Sequence, residues 1–196
     1  TVYDSEGNLH WKFNTIIEPN KLLRLKIPKP NNNFVFGYAE IFAKFQKKGL
    51  QGTKRVHLNL VSKESISQLH SSSPQTIKEL FVEYICNANI DEKVYLLISN
   101  LNKKNNKIKI FNEDNILINE FEVGSRKTRM IELPKDLNGA RNKTIVRCVR
   151  IQSLLVTGLI NILYSVNNYD MISVDHIDPH QFAQRSTKLN KKISNI

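Results

Sequence analysis

The chain has 196 residues, 40% of them hydrophobic, and carries Lys+Arg 29 against Asp+Glu 18, a formal net charge of +11. A domain of this length buries roughly 70% of its unfolded surface and needs no disulfide staples; Cys86 and Cys148 match no metal or redox spacing and are expected as free core thiols. There is no secretory apolar region and no run of the ~18–20 apolar residues that a membrane-spanning helix requires, and the positive balance favours a polyanion as partner.

In chain order, residues 1–14 hold polar turn residues around Asp4–Asn8, with Trp11 and Phe13 as the anchors of an arm docked on the domain. The first residue, Thr1, fits a start residue or leader removed, or a piece cut from a longer precursor. Leu22–Ile27 alternates over its last residues and stops at Pro28, as a strand does. Phe34–Phe45 places Ala39, Ile41, Ala43 and Phe45 on one face at period two, and Val56–Leu60 is its expected partner strand after the turn at Gly49 and Gly52. Ser62–Ser73 reads as a serine-rich connection with one short helical turn. Ser73-Pro74 looks like a cap that opens another such turn before a strand over Leu80–Cys86.

The second half is more regular. Val94–Ile98 is a compact apolar strand, and the polar loop 100–107 returns into Ile108–Phe111. Asn112–Asn115 turns this strand into a hairpin with 116–123. Met130–Leu133 is a short strand ended by Pro134, and Thr144–Ile151 and Leu159–Val166 are two long strands joined near Gly158. Eight to ten short strands with glycine and proline punctuation predict an antiparallel β-sandwich or barrel. Repeated amphipathic helices, which a βαβ fold requires, are absent from the pattern. From residue 173 onward the chain is polar, then basic without an acid after Asp178, which reads as a tail. The expected layout is an arm over 1–20, a domain over 21–172 and a basic arm over 173–196.

Neither a Gly-x-Ser-x-Gly elbow, nor a phosphate-cradling glycine loop, nor a dinucleotide fingerprint occurs. Asp175, His176, Asp178 and His180 are the one ligand-like cluster, but Pro179 and the short spacing prevent the i,i+4 geometry of a helical zinc pair. No catalytic residue, cofactor or metal is therefore expected. The chemistry that does cluster is cationic: Arg126, Lys127, Arg129, Lys135, Arg141, Lys143, Arg147 and Arg150 stand against Glu132 and Asp136, and Arg185, Lys188, Lys191 and Lys192 end the chain. Lysine acts as a point charge on phosphate, so contact with nucleic acid through these residues is expected to be indifferent to base sequence. The expected polyanion-binding residues are Arg126, Lys127, Arg129, Arg141, Lys143, Arg147, Arg150, Arg185, Lys188, Lys191 and Lys192.

Asn33–Phe45, followed by a glycine-bearing turn and Thr53–Val61, resembles the consecutive early strands of picornavirus-like jelly-roll capsid proteins. Thr144–Leu155 with Gly158–Val166 looks like the last two strands of that fold, and Arg129–Pro134 like a strand between them. The resemblance covers about half the chain. It implies an all-β jelly-roll sandwich with terminal arms, assembled with copies or sibling subunits into a virion, with positive residues facing packaged RNA and β faces making subunit contacts. Cys148-Val149-Arg150-Ile151 followed by Leu159–Tyr164 also resembles the closing strands of discoidin-like, galactose-binding sandwiches. That likeness implies a binding module or scaffold subunit, with a glycan, lipid or protein ligand and a cytoplasmic location as the alternative. Viral movement proteins of jelly-roll ancestry are a third, fainter likeness.

Overall fold

A computed structural model describes residues 1–18, 21–28, 36–42, 57–70, 75–76, 79–87, 91–135, 144–153 and 157–176. The described chain is all-β and antiparallel. β1 (Val2–Asp4), β2 (Leu9–Trp11) and β3 (Gly37–Ala39) form a small sheet in the order β2-β1-β3, and β4 (His57–Val61) pairs with β5 (Ile66–His70). β6 (Gln75–Thr76), β7 (Glu79–Asn87), β8 (Glu92–Asn100), β9 (Asn106–Phe111), β10 (Leu117–Val123), β11 (Thr128–Glu132), β12 (Thr144–Ser153), β13 (Thr157–Val166) and β14 (Met171–His176) complete the order. Two sheets, β10-β9-β12-β7 and β11-β8-β13-β14, pack as a sandwich, and β6 adds to the start of β13.

The period-two alternation that predicts these strands also builds the core. Leu80, Val82, Tyr84 and Cys86 of β7, Ile108 and Ile110 of β9 and Val149 and Ile151 of β12 point inward from one sheet. Val94, Leu96 and Ile98 of β8 meet them with Ile160 and Ile162 of β13 from the other. Burying each such side chain stabilises the fold by roughly 1.5–3 kcal/mol. Two hydroxyls tie the sheets together: Tyr84 Oη donates to the Pro134 carbonyl at 2.8 Å, and Tyr164 Oη accepts from the Ile85 N–H at 3.2 Å.

Several expectations change. Residues 21–28 form no strand, and within 36–42 only Gly37–Ala39 does. Tyr38 is the buried residue there, stacked on Tyr3 at 4.9 Å, whereas Ile41 is exposed. β3 pairs with the N-terminal β1, not with residues 57–60. Those pair instead with β5, so a strand replaces part of the serine-rich connection. No helical turn occurs among the described residues; Gln75 and Thr76 are in β6, and Ser73-Pro74 lies outside the described residues. β14 takes in 173–176, the start of the segment read as a tail. Both cysteines are free, as expected, but only Cys86 is in the core, and Cys148 is half-buried. Cys86 opposes Ile145 while Cys148 opposes Glu83, so strand parity sends the two thiols to opposite faces of one sheet.

A candidate assembly and polyanion surface

The cationic residues divide among three places. Arg126 and Lys127 sit in the turn between β10 and β11, closed by the Lys127 N–H bonding the Gly124 carbonyl. They face the small N-terminal sheet. Arg126 pairs with Glu40 at 3.0 Å and Lys127 with Glu6 at 2.5 Å, while the Thr128 N–H donates to the Ser5 carbonyl at 2.9 Å. Gly7, at φ +80°, lies so close to the Arg126 carbonyl that a side chain there would collide with it. These two cations thus clamp the N-terminal sheet to the sandwich.

Arg129, exposed but of the same strand parity as Ile131 and Leu133, lies 5.1 Å from the Phe121 ring centre and donates to the Glu122 carbonyl. It bridges the two edge strands of the sandwich. Arg147 and Arg150, on β12, differ in parity. Arg147 sits opposite the buried Tyr84 and 3.7 Å from Glu113. Arg150 lies on the outer face, stacked 4.2 Å from the Phe111 ring centre, paired with Glu79 at 2.7 Å and bonded to Asn115. Arg126, Lys127, Arg129, Arg147 and Arg150 are therefore not brought to one open cationic face. Arg141, Lys143, Arg185, Lys188, Lys191 and Lys192 lie outside the described residues.

Cations without a carboxylate partner occur elsewhere. Among the described residues, Lys12, Lys21, Arg24 and Lys26 are exposed and make no ion pair, as are Lys103 and Lys104 in the β8–β9 loop. The first four belong to an excursion between β2 and β3, pinned where the His10 Nε2 meets the Pro28 carbonyl at 3.1 Å. That excursion also exposes Phe13, Ile16, Ile17, Leu22, Leu23 and Leu25, with Leu22 95% exposed. A second apolar patch lies on the outer face of the β7 sheet, where Ile85 and Val146 are direct cross-strand partners and both exposed. Sequence reasoning passed over both. The signals were present: Leu22–Ile27 alternates apolar and basic residues, and Leu80–Cys86 is almost continuously apolar, as in a strand covered on both faces.

A cleft of about 390 Å³ opens between the β10 and β11 edges, lined by Ile110, Ile118, Ile131, Leu133 and Pro134 together with the polar Asn119, Glu132 and Lys135. It holds no nucleophile–base pair. Burial pushes the thiols of Cys86 and Cys148 up from their ordinary range, which disfavours the reactive thiolate. No group of three or more His, Cys, Asp or Glu able to hold a metal occurs among the described residues. Asp178 and His180 lie outside them. Among the described residues no helix is long and apolar enough to cross a membrane. Comparison with known protein families, with curated proteins and with solved structures finds no match.

Proposed function

We propose that this chain is a structural subunit of a symmetric, capsid-like assembly, its place the virion shell, held by apolar contacts between subunits and neutralising packaged RNA without base specificity. One observation carries this reading: among the described residues many large apolar side chains are exposed, most densely in the 12–28 excursion, with others at Ile41 and Phe42, at Ile116, Leu117 and Ile118, and at the cross-strand pair Ile85 and Val146. Contiguous apolar surface of this kind marks sites of association in proteins that otherwise bury such groups. RNA contact in this reading falls to the unpaired lysines and arginines of the excursion and to Arg141, Lys143, Arg185, Lys188, Lys191 and Lys192. Arg126, Lys127, Arg147 and Arg150 already have carboxylate partners.

Size-exclusion chromatography with light scattering tests it, at low and high salt, with and without single-stranded RNA of arbitrary sequence. The expected result is a concentration-dependent oligomer that RNA enlarges at low salt. A monomer that ignores both salt and RNA would overturn the proposal.

A further inference from the structure

The edges of the sandwich are protected unequally. On β14, Ser65 Oγ bonds both the N–H and the carbonyl of Ile172, and Ser67 Oγ does the same for Val174. On β7, Tyr164 takes the Ile85 N–H and Glu92 takes that of Asn87. On β11 the backbone groups alternate in direction. The Leu133 N–H turns toward β8, bonding the Val94 carbonyl, whereas the Thr128 N–H turns away to Ser5. Met130 and Glu132 share the direction of Thr128, and among the described residues their backbone groups have no partner on that side. The cleft, part apolar through Ile118, Ile131 and Leu133 and part polar through Asn119, Glu132 and Lys135, lies beside this open edge.

Residues 21–28 supply the missing half. They carry a strand pattern, with Leu23, Leu25 and Ile27 on one face and Arg24 and Lys26 on the other, yet pair with no strand among the described residues. We infer that the 21–28 segment of one copy adds as a strand to the open β11 edge of a second copy. Its leucines then enter the cleft between Ile131, Leu133 and Ile118, while Arg24 and Lys26 come on the outer face beside Glu132, whose 3.8 Å pair with the exposed Lys93 they would share or replace. Inward parity at Ile131 and Leu133 matches the apolar face of the segment, and outward parity at Glu132 matches its basic face. Main-chain bonds supply affinity in such strand addition, and the side-chain alternation supplies register. This inference rests on the assembly reading and names the contact that builds it.

Two variants test it in the full chain by sedimentation velocity. Leu23→Asp/Leu25→Asp alters side chains that are already exposed, so folding is retained. Met130→Pro removes an N–H that faces the open edge and leaves the β8 ladder intact, though it also trims the packing of Met130 on Tyr95, Leu163 and Val174; Glu132→Lys, at an exposed site, provides a second edge variant that disturbs no core packing and loses only the surface pair with Lys93. Each variant alone is expected to sediment as a monomer where the wild type associates. Mixing the arm variant with an edge variant is expected to restore a heterodimer, since one intact arm and one intact edge remain. Variants that assemble like the wild type overturn this inference and leave the assembly reading standing. Failure of the mixture to associate likewise overturns the inference alone. A wild type that is monomeric with and without RNA overturns both.

Discussion

At the scale of single residues, the asparagines and acidic turn residues do structural work that composition conceals. Asn100 is 1% exposed; its amide donates to the carbonyls of Lys104, Val123 and Gly124, and its oxygen accepts from Asn102. Asn112 accepts from the N–H groups of Asp114 and Ile116 and so shapes the β9–β10 turn, in which Asn115 takes φ 61°. A bias toward asparagine looks like codon usage until such partners are visible, because nothing local distinguishes a buried amide from a solvated one. Asp4 has a sharper consequence. Burial acts to raise its pKa, but hydrogen bonds from Asn8, Glu6 and Gly7 outweigh it and hold the carboxyl below the usual range. A depressed folded pKa contributes stability that is complete above the unfolded value, about 3.9, and is lost as pH falls through the folded value. The N-terminal sheet is therefore expected to loosen below about pH 4, ahead of the sandwich. Trp11, the only tryptophan, lies in β2 and reports this sheet alone. An acid titration of its fluorescence should show the step in the wild type and not in Asp4→Asn; identical titrations would remove Asp4 from the account.

At the scale of elements, the strands of the sandwich were legible and their neighbours were not. Val94–Ile98, Ile108–Phe111 and Leu159–Val166 announce themselves because each has one face in the core, and burial writes period two into the sequence. The β9–β10 hairpin was legible from Asn112–Asn115 for the same local reason. Pairing in the first third was not, since β1 meets β3 across 33 or more residues and only tertiary packing decides it. The serine-rich segment shows the limit best. Ser65 and Ser67 alternate as strand residues, but their role is to substitute hydroxyls for the missing ladder of β14. Replacing both with alanine leaves the N–H and carbonyl groups of Ile172 and Val174 unpaired, which costs about 1–3 kcal/mol for each group left buried. Urea denaturation of Ser65→Ala/Ser67→Ala should show a lower midpoint with unchanged slope, and amide exchange should quicken at Ile172 and Val174. A variant as stable and as protected as the wild type would show that the hairpin is held otherwise. The candidate cationic site was legible only as a charge count. Sequence shows Arg126, Lys127, Arg147 and Arg150 close together, but not that Glu40, Glu6, Glu113 and Glu79 come to them from distant positions.

At the scale of the whole molecule, this pairing redistributes the net charge of +11 rather than reducing it. Surface ion pairs are individually weak, typically about 0–1 kcal/mol, so the clamp made by Arg126 and Lys127 acts together with the Thr128–Ser5 bond. A paired cation is nevertheless a poor ligand for phosphate, because binding there must first displace a carboxylate that is already in contact. Attraction for a polyanion should therefore come from the excursion's Lys12, Lys21, Arg24 and Lys26, which make no ion pair among the described residues, and from the terminal Lys188, Lys191 and Lys192, which follow the last acid of the sequence, Asp178. Each phosphate neutralised on a single strand lowers the slope of log affinity against log salt by about 0.7. Lys188→Ala/Lys191→Ala/Lys192→Ala is accordingly expected to flatten that slope by roughly 2 for single-stranded RNA, with similar changes for unrelated sequences. Arg126→Ala/Lys127→Ala is expected to leave the slope unchanged and to lower the midpoint of the Trp11 transition instead. Fluorescence anisotropy of a labelled oligonucleotide between 50 and 200 mM salt (roughly the range over which such slopes are read) separates the two cases. A slope that falls with the Arg126 and Lys127 changes and not with the terminal lysines would return the polyanion surface to the β10–β11 turn.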